Sequence, residues 1–190
     1  MKSQKDFLAK IVKILESADI DYMIAGSVAS SFHGRPRATQ DVDIVIKTSE
    51  KQLSRFVQSL GKDYYVSSQA AGEALKNQMM FNIIDIIDGH KADIVILKNR
   101  PFSIEEFKRR KNVKMLGVSV KVISSEDVIL SKLEWSKASG SDRQFDDALG
   151  VAVVQWNDLD LDYLRKWSIM LNVEQLLKKL LGEAKKLQTG

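Results

Sequence analysis

The chain has no cysteine, two prolines and two histidines among 190 residues. Without cysteine there are no disulfides, no thiol nucleophile and no Cys-ligated zinc. His33 and His90 are too few to build a histidine metal cage. Any metal bound here should be a hard cation held by carboxylates. Ten glycines and two prolines are too few for a linker-rich chain. No segment approaches the roughly 18 apolar residues of a membrane span. Near the N-terminus, Lys2, Lys5, Asp6 and Lys10 interrupt any apolar stretch before it reaches signal-peptide length. The expectation is a soluble cytoplasmic protein with no membrane partner.

What is present is ordinary globular composition, 44% hydrophobic and 28% charged. Collagen-like, low-complexity and disordered readings are excluded. The length suffices for a core without staples. The net charge is +4, unevenly spread. Between Lys98 and Lys114 stand Lys98, Arg100, Lys108, Arg109, Arg110, Lys111 and Lys114 against Glu105 and Glu106. That strip carries +5 and the rest of the chain −1. It suits a phosphate-bearing partner, and a solvated helix face reads similarly.

Periodicity gives the order α-β-α-β-α-β-β followed mostly by helix. Phe7, Leu8, Ile11, Val12, Ile14 and Leu15 recur at helical spacing. Tyr22 to Ala25 reads as a strand that Gly26 ends, and Ser27 to Phe32 as a short helix closed by His33. Gly34 to Arg37 is a loop. Asp41 to Lys47 reads as a strand near the middle of a sheet. Thr48-Ser49-Glu50 opens a helix that Gly61 ends. Phe81 to Asp88 and Lys91 to Leu97 read as a hairpin around Gly89-His90, and Val113 to Ile123 as a strand pair around Gly117. Ser124 or Ser125 caps the next helix, with Glu126 and Asp127 in its first turn. Val173, Leu176, Leu177, Leu180, Leu181, Ala184 and Leu187 form a stripe on the last helix. The expected division is an α/β domain over 1–123 and a helical region over 124–190.

In a strand, Asp41 and Asp43 point to one face, with Val42, Ile44 and Ile46 on the other. Two adjacent carboxylates repel unless a cation lies between them. A magnesium ion shared with substrate phosphates would supply that cation. Charges that protect an edge strand look the same. Asp93 opens another apolar strand, and a neighbouring strand could bring it beside the pair. Asp85 and Asp88 compete for this third place, although Asp88 abuts the Gly89 turn, where aspartate is favoured for turn geometry. Gly26-Ser27 lies between a strand and a helix, where a phosphate can approach the backbone and the helix N-terminus. A plain Ser N-cap has the same sequence. Lys132 and Arg37 could meet a phosphate as cations. Arg143 and Asp147 stand at helical ion-pair spacing. Tyr64, Tyr65 and Trp135 could stack on a base or fill a core.

The stretches Ile24-Ala25-Gly26-Ser27, Arg37-Ala38-Thr39-Gln40-Asp41-Val42-Asp43-Ile44 and Ala92-Asp93-Ile94 together resemble the DNA polymerase β-like nucleotidyltransferase superfamily. The Arg-x-Thr-x-Asp-x-Asp string and Ser125-Glu126-Asp127-Val128-Ile129-Leu130-Ser131-Lys132-Leu133 are similar to its small bacterial branch. That branch includes abortive-infection (AbiE-type) toxins and lincosamide-type antibiotic nucleotidyltransferases. The resemblance implies a mixed sheet flanked by helices with a helical C-terminal part. It implies transfer of NMP from an NTP to an acceptor hydroxyl, with pyrophosphate released. Asp41 and Asp43 would bind two Mg²⁺ ions, for which Mn²⁺ can substitute. Asp93 would complete the metal site and orient or deprotonate the acceptor. Gly26 and Ser27 would hold the β- and γ-phosphates. The implied acceptor is a nucleic acid such as tRNA, met by the Lys98–Lys114 strip, or a small hydroxylated molecule. For a toxin, an antitoxin protein is the implied partner. Two rival readings stand beside this one. The first is a catalytically silent member of the fold that binds nucleotide or a partner. The second is a plain nucleic-acid-binding module.

Overall fold

A computed structural model describes residues 3–39 and 41–189; Gln40, inside the Arg-x-Thr-x-Asp-x-Asp string, lies outside the described residues. The chain forms two compact units, Met1–Ala25 with Thr39–Val122, and Gly26–Ala38 with Ile123–Gly190.

The first unit opens with helix α1 (Gln4–Ser17), whose N-terminal N–H groups are met by a reciprocal Ser3–Asp6 capping box. Strand β1 (Asp21–Ala25) and strand β2 (Asp41–Lys47) follow. Helix α3 (Glu50–Leu60) starts at a second capping box, Ser49 with Gln52. Next come β3 (Tyr64–Tyr65), α4 (Ser68–Asn77), β4 (Met80–Asp85), β5 (Lys91–Ile96), α5 (Pro101–Lys108), β6 (Lys111–Met115) and β7 (Val118–Val122). The strands form one sheet in the order β3-β4-β5-β2-β1-β7-β6. The sheet is mixed: β2 runs parallel to β5 and antiparallel to β1. The Asp41–Lys47 strand is therefore central, as its apolar face requires. Val42, Ile44 and Ile46 are buried, as are Ala92, Ile94 and Ile96 on the neighbouring strand. Phe7, Leu8, Ile11, Leu53 and Phe56 from α1 and α3 complete this core.

Two elements of this unit are absent from the sequence reading. β3 has only two residues, and α4 buries only Ala71 and Ala74, so neither shows an apolar period. The Phe81–Asp88 strand also stops early, at Asp85. The buried Asp85 carboxylate accepts the N–H groups of Ile87 at 2.9 Å and Asp88 at 3.2 Å, which turns the chain out of the sheet.

The second unit holds α2 (Gly26–His33), α6 (Ser125–Ser139), α7 (Asp142–Val154), a 3-10 turn at Trp156–Asp158, α8 (Leu161–Met170) and α9 (Glu174–Thr189). Ser124 is the N-cap of α6. Leu130, Leu133, Ala148, Val151, Leu164 and Leu180 are fully buried in this unit. Of the expected α9 stripe, Val173, Leu177, Leu180 and Ala184 are core, whereas Leu187 is half exposed. His33 does more than close α2. Its buried Nε2 lies 2.7 Å from the Ile123 carbonyl, which can only accept, so Nε2 carries the proton. Among the described residues no helix is long and apolar enough to cross a membrane.

Candidate active site

The central strands of the first unit fix a row of polar side chains. Asp41 and Asp43 share one face of β2, opposite the buried Val42, Ile44 and Ile46. In the β2–β5 register Asp43 faces Asp93 and Asp41 faces Lys91. In the β4–β5 register Asn82 faces Asp93. Ala25 faces Asp43 from β1. Neighbouring strands stand about 4.8 Å apart, so Asp43, Asp93 and Asn82 form a continuous line across three strands. The parallel pairing brings Asp93 beside Asp43 across a separation of fifty positions.

The third carboxylate competing with Asp93 goes elsewhere. Asp85 alternates with Asn82 along β4 and is buried on the other face of the sheet, held by the turn it stabilises. Asp88 lies in that turn.

A cation already sits among these oxygens. The Lys91 ammonium is 2.9 Å from Asp93 Oδ1 and 3.4 Å from Asp41 Oδ2. The hydrogen bond to Asp93, helped by the charges of Asp93 and Asp41, raises the Lys91 pKa against the opposing effect of burial. Asn82 Nδ2 donates to the same Asp93 Oδ1. As the side chains stand, no group of three or more His, Asp or Glu among the described residues is arranged to hold a metal ion. The donor chemistry nevertheless fits a hard divalent cation, since all three side chains offer only carboxylate oxygen. The lysine shows that the field of this cluster draws positive charge to it.

The second unit gathers its own charged cluster. Gly26 opens α2 with φ of 59°, a left-handed conformation that favours glycine. Ser27 Oγ accepts a 2.7 Å hydrogen bond from Arg37 Nη2. The same guanidinium grips Asp147, Nε to Oδ1 and Nη2 to Oδ2, both at 3.1 Å. Lys132 Nζ donates to Asp147 Oδ2 at 2.9 Å, and Lys132 is only 6% exposed. One carboxylate thus holds two cations, and the cluster keeps one positive charge in excess. Burial opposes ionisation of Asp147, but the hydrogen bonds and charges of Arg37 and Lys132 outweigh it and hold its pKa below the usual carboxylate range.

Ser27, Arg37 and Lys132 are therefore brought together, and the residue that joins them is one the sequence reading misplaced. Spacing assigned Asp147 to Arg143, one helical turn away. The structure gives the carboxylate to Arg37, 110 positions distant, and to Lys132. No local pattern signals a contact of that range.

The basic strip spans α5 and β6, the latter an edge strand. Arg110 is consumed internally, 2.8 Å from Asp21 and stacked 4.2 Å from the Phe107 ring centre. Lys98, Lys108, Lys111 and Lys114 are exposed. Of the aromatics able to stack on a base, Tyr64 is core, whereas Tyr65 and Trp135 are each 63% exposed.

Comparison with solved structures finds the same architecture in several proteins. An antigenic nucleotidyltransferase-like protein from Paracoccidioides brasiliensis superposes with a TM-score of 0.54 at 19% identity, over 77% of this chain and 72% of that one. ANT(2'')-Ia, solved in complex with adenylyl-2''-tobramycin, gives a TM-score of 0.58 at 12% identity over 90% and 98% of the two chains. This chain has the nucleotidyltransferase fold. JHP933 from Helicobacter pylori is also similar, with a TM-score of 0.50 at 15% identity over 100% and 94%. At such identities the likeness establishes the fold alone. No family model matches the sequence, and no curated protein sequence matches it.

Proposed function

We propose that this chain is a nucleotidyltransferase that moves NMP from an NTP to an acceptor hydroxyl. The observation that carries the reading is the placement of Asp43 directly opposite Asp93 on parallel central strands, with Asp41 on the same face. Nucleotidyl transfer needs charge neutralisation and alignment more than a covalent nucleophile. A chain without cysteine and with two histidines can supply both.

Asp41, Asp43 and Asp93 are the proposed ligands of Mg²⁺, two ions in all, with Mn²⁺ able to substitute. Bound there, the metal would neutralise phosphate charge and acidify the acceptor hydroxyl. Binding requires the Lys91 ammonium to withdraw. Gly26, Ser27, Arg37 and Lys132 are the proposed contacts of the β- and γ-phosphates, Gly26 through its backbone N–H and the others through side chains. Arg37 and Lys132 are already held in place by Asp147, so little ordering remains for binding. The acceptor oxygen attacks the α-phosphorus and forms the new P–O bond. The bond from the α-phosphorus to the β-bridging oxygen breaks, and pyrophosphate leaves. The acceptor proton passes to Asp93 and then to water.

We read the acceptor as nucleic acid, tRNA included, because four exposed lysines line the Lys98–Lys114 strip. The sequence strings that resemble the small bacterial branch, abortive-infection toxins included, support a toxin role with an antitoxin protein as partner. A second reading takes a small hydroxylated acceptor, favoured by the fold likeness to ANT(2'')-Ia, whose complex holds an adenylylated tobramycin.

The test is incubation with each α-labelled NTP, Mg²⁺ and a total RNA and protein extract. Label entering RNA with wild type and lost with Asp43→Ala supports the reading and its acceptor. Label in small molecules alone selects the second reading. A protein that transfers no label and shows no NTP-dependent thermal shift is a silent member of the fold.

A further inference from the structure

Asp93 is gripped from two sides. Lys91 reaches Oδ1 from two positions earlier on β5, and Asn82 reaches the same oxygen from the facing position on β4. Two donors on one oxygen fix the rotation of the carboxylate, and hence the direction of its second oxygen. The two donors differ in kind. The ammonium repels an incoming divalent cation and must leave with its arrival. The amide is neutral and can stay.

Asn82 is also out of place by local preference. Asparagine is depleted in strands. The exposed positions on either side of it along β4 are Met80 and Ile84. An exposed asparagine between two apolar side chains, its amide bonded to Asp93, calls for a role beyond strand formation.

We propose that Asn82 is a positioning residue for Asp93: its amide holds Oδ1 so that the carboxylate faces the Asp41–Asp43 pair when a divalent ion binds. This rests on the nucleotidyltransferase reading above. Groups that orient a ligand from behind typically matter 10–100-fold in metal affinity or activity.

The experiment measures Mn²⁺ affinity by electron paramagnetic resonance in the full chain for wild type, Asn82→Leu, Asn82→Gln and Asp43→Ala. Thermal melts without metal run alongside. Leucine keeps the branched shape and the number of heavy atoms and removes the amide, and at an exposed position it should leave the melting temperature unchanged. We expect Asn82→Leu to bind Mn²⁺ roughly tenfold more weakly. Asn82→Gln, which restores an amide, should recover most of that loss. In turnover, Asn82→Leu should lower kcat roughly tenfold and leave the KM for NTP within about twofold. If Asp43→Ala abolishes Mn²⁺ binding while Asn82→Leu binds like wild type, the role of Asn82 is overturned and the nucleotidyltransferase reading survives. If wild type binds no Mn²⁺, or Asp43→Ala binds as well as wild type, both fall together.

Discussion

At the scale of single residues, the two charged clusters behave oppositely. In the cluster of the first unit the carboxylates of Asp41, Asp43 and Asp93 outnumber the cation, and Lys91 is the counter-ion that Asp41 and Asp93 share. Removing that positive charge should deepen the negative field. The Lys91→Met variant should therefore bind Mn²⁺ roughly tenfold more tightly than wild type, a difference of about 1.4 kcal/mol. Its melting temperature without metal should fall, as a paired Mn²⁺ titration and thermal melt would reveal. The second unit has two cations on one carboxylate. Asp147→Asn leaves Lys132 and Arg37 without their counter-charge, at a cost on the order of 3 kcal/mol in urea unfolding. The pH dependence has a definite sign. The Asp147 pKa is lower in the folded state than in the unfolded one. Its contribution is therefore full above a pH of about 4 and is lost as pH falls through the lowered folded value. Urea unfolding from pH 6 down to pH 3 should show this acid-side loss in wild type and a flatter profile in Asp147→Asn.

At the scale of elements, most capped helices are legible in the sequence, whereas short or weakly apolar elements are not. Thr48-Ser49-Glu50 and Ser124-Ser125 announce α3 and α6 in the sequence, and the structure makes Ser49 and Ser124 the caps. The alternation of Asp41–Lys47 gives both the strand and the face each side chain takes. By contrast, α4 has a serine cap but no apolar period, and β3 is too short to have any period. Gly34 shows what sequence hides at this scale. A Cβ there would stand 2.7 Å from the Val151 nitrogen and 2.9 Å from the Gly150 carbonyl carbon. Both obstacles are backbone atoms of α7, which cannot rotate away. Gly34→Ala should therefore force the end of α2 off α7 and cost about 1–3 kcal/mol. A denaturant midpoint within error of wild type would remove this close approach from the account of the second unit.

At the scale of the whole molecule, the charge imbalance sets how the protein meets a polyanion. Arg110 is spent on Asp21 and Phe107, so under the proposed nucleic-acid reading the four exposed lysines would carry the interaction. Neutralising four phosphates implies a salt slope of about −3.6 on duplex and about −2.8 on single strands. Affinity for RNA should then fall roughly 50–150-fold between 50 and 200 mM salt. Replacing Lys98, Lys108, Lys111 and Lys114 with glutamine should flatten that slope. A filter-binding series at several salt concentrations measures it.

The sequence by itself determined the α/β class, the central strand, the face shared by Asp41 and Asp43, and the nomination of Asp93. These follow from period-two alternation and turn chemistry, which act over a few residues. Tertiary structure decided which strands became neighbours, and only that pairing set Asp93 against Asp43 and Asn82 against Asp93. It also decided that Asp85 faces away and that Asp147, which local spacing would pair with Arg143, ties Arg37 to Lys132. The reason is one of range. Local propensity fixes the direction of a side chain relative to its own backbone, whereas its partner is set by strand order and helix packing, which no short window of sequence contains.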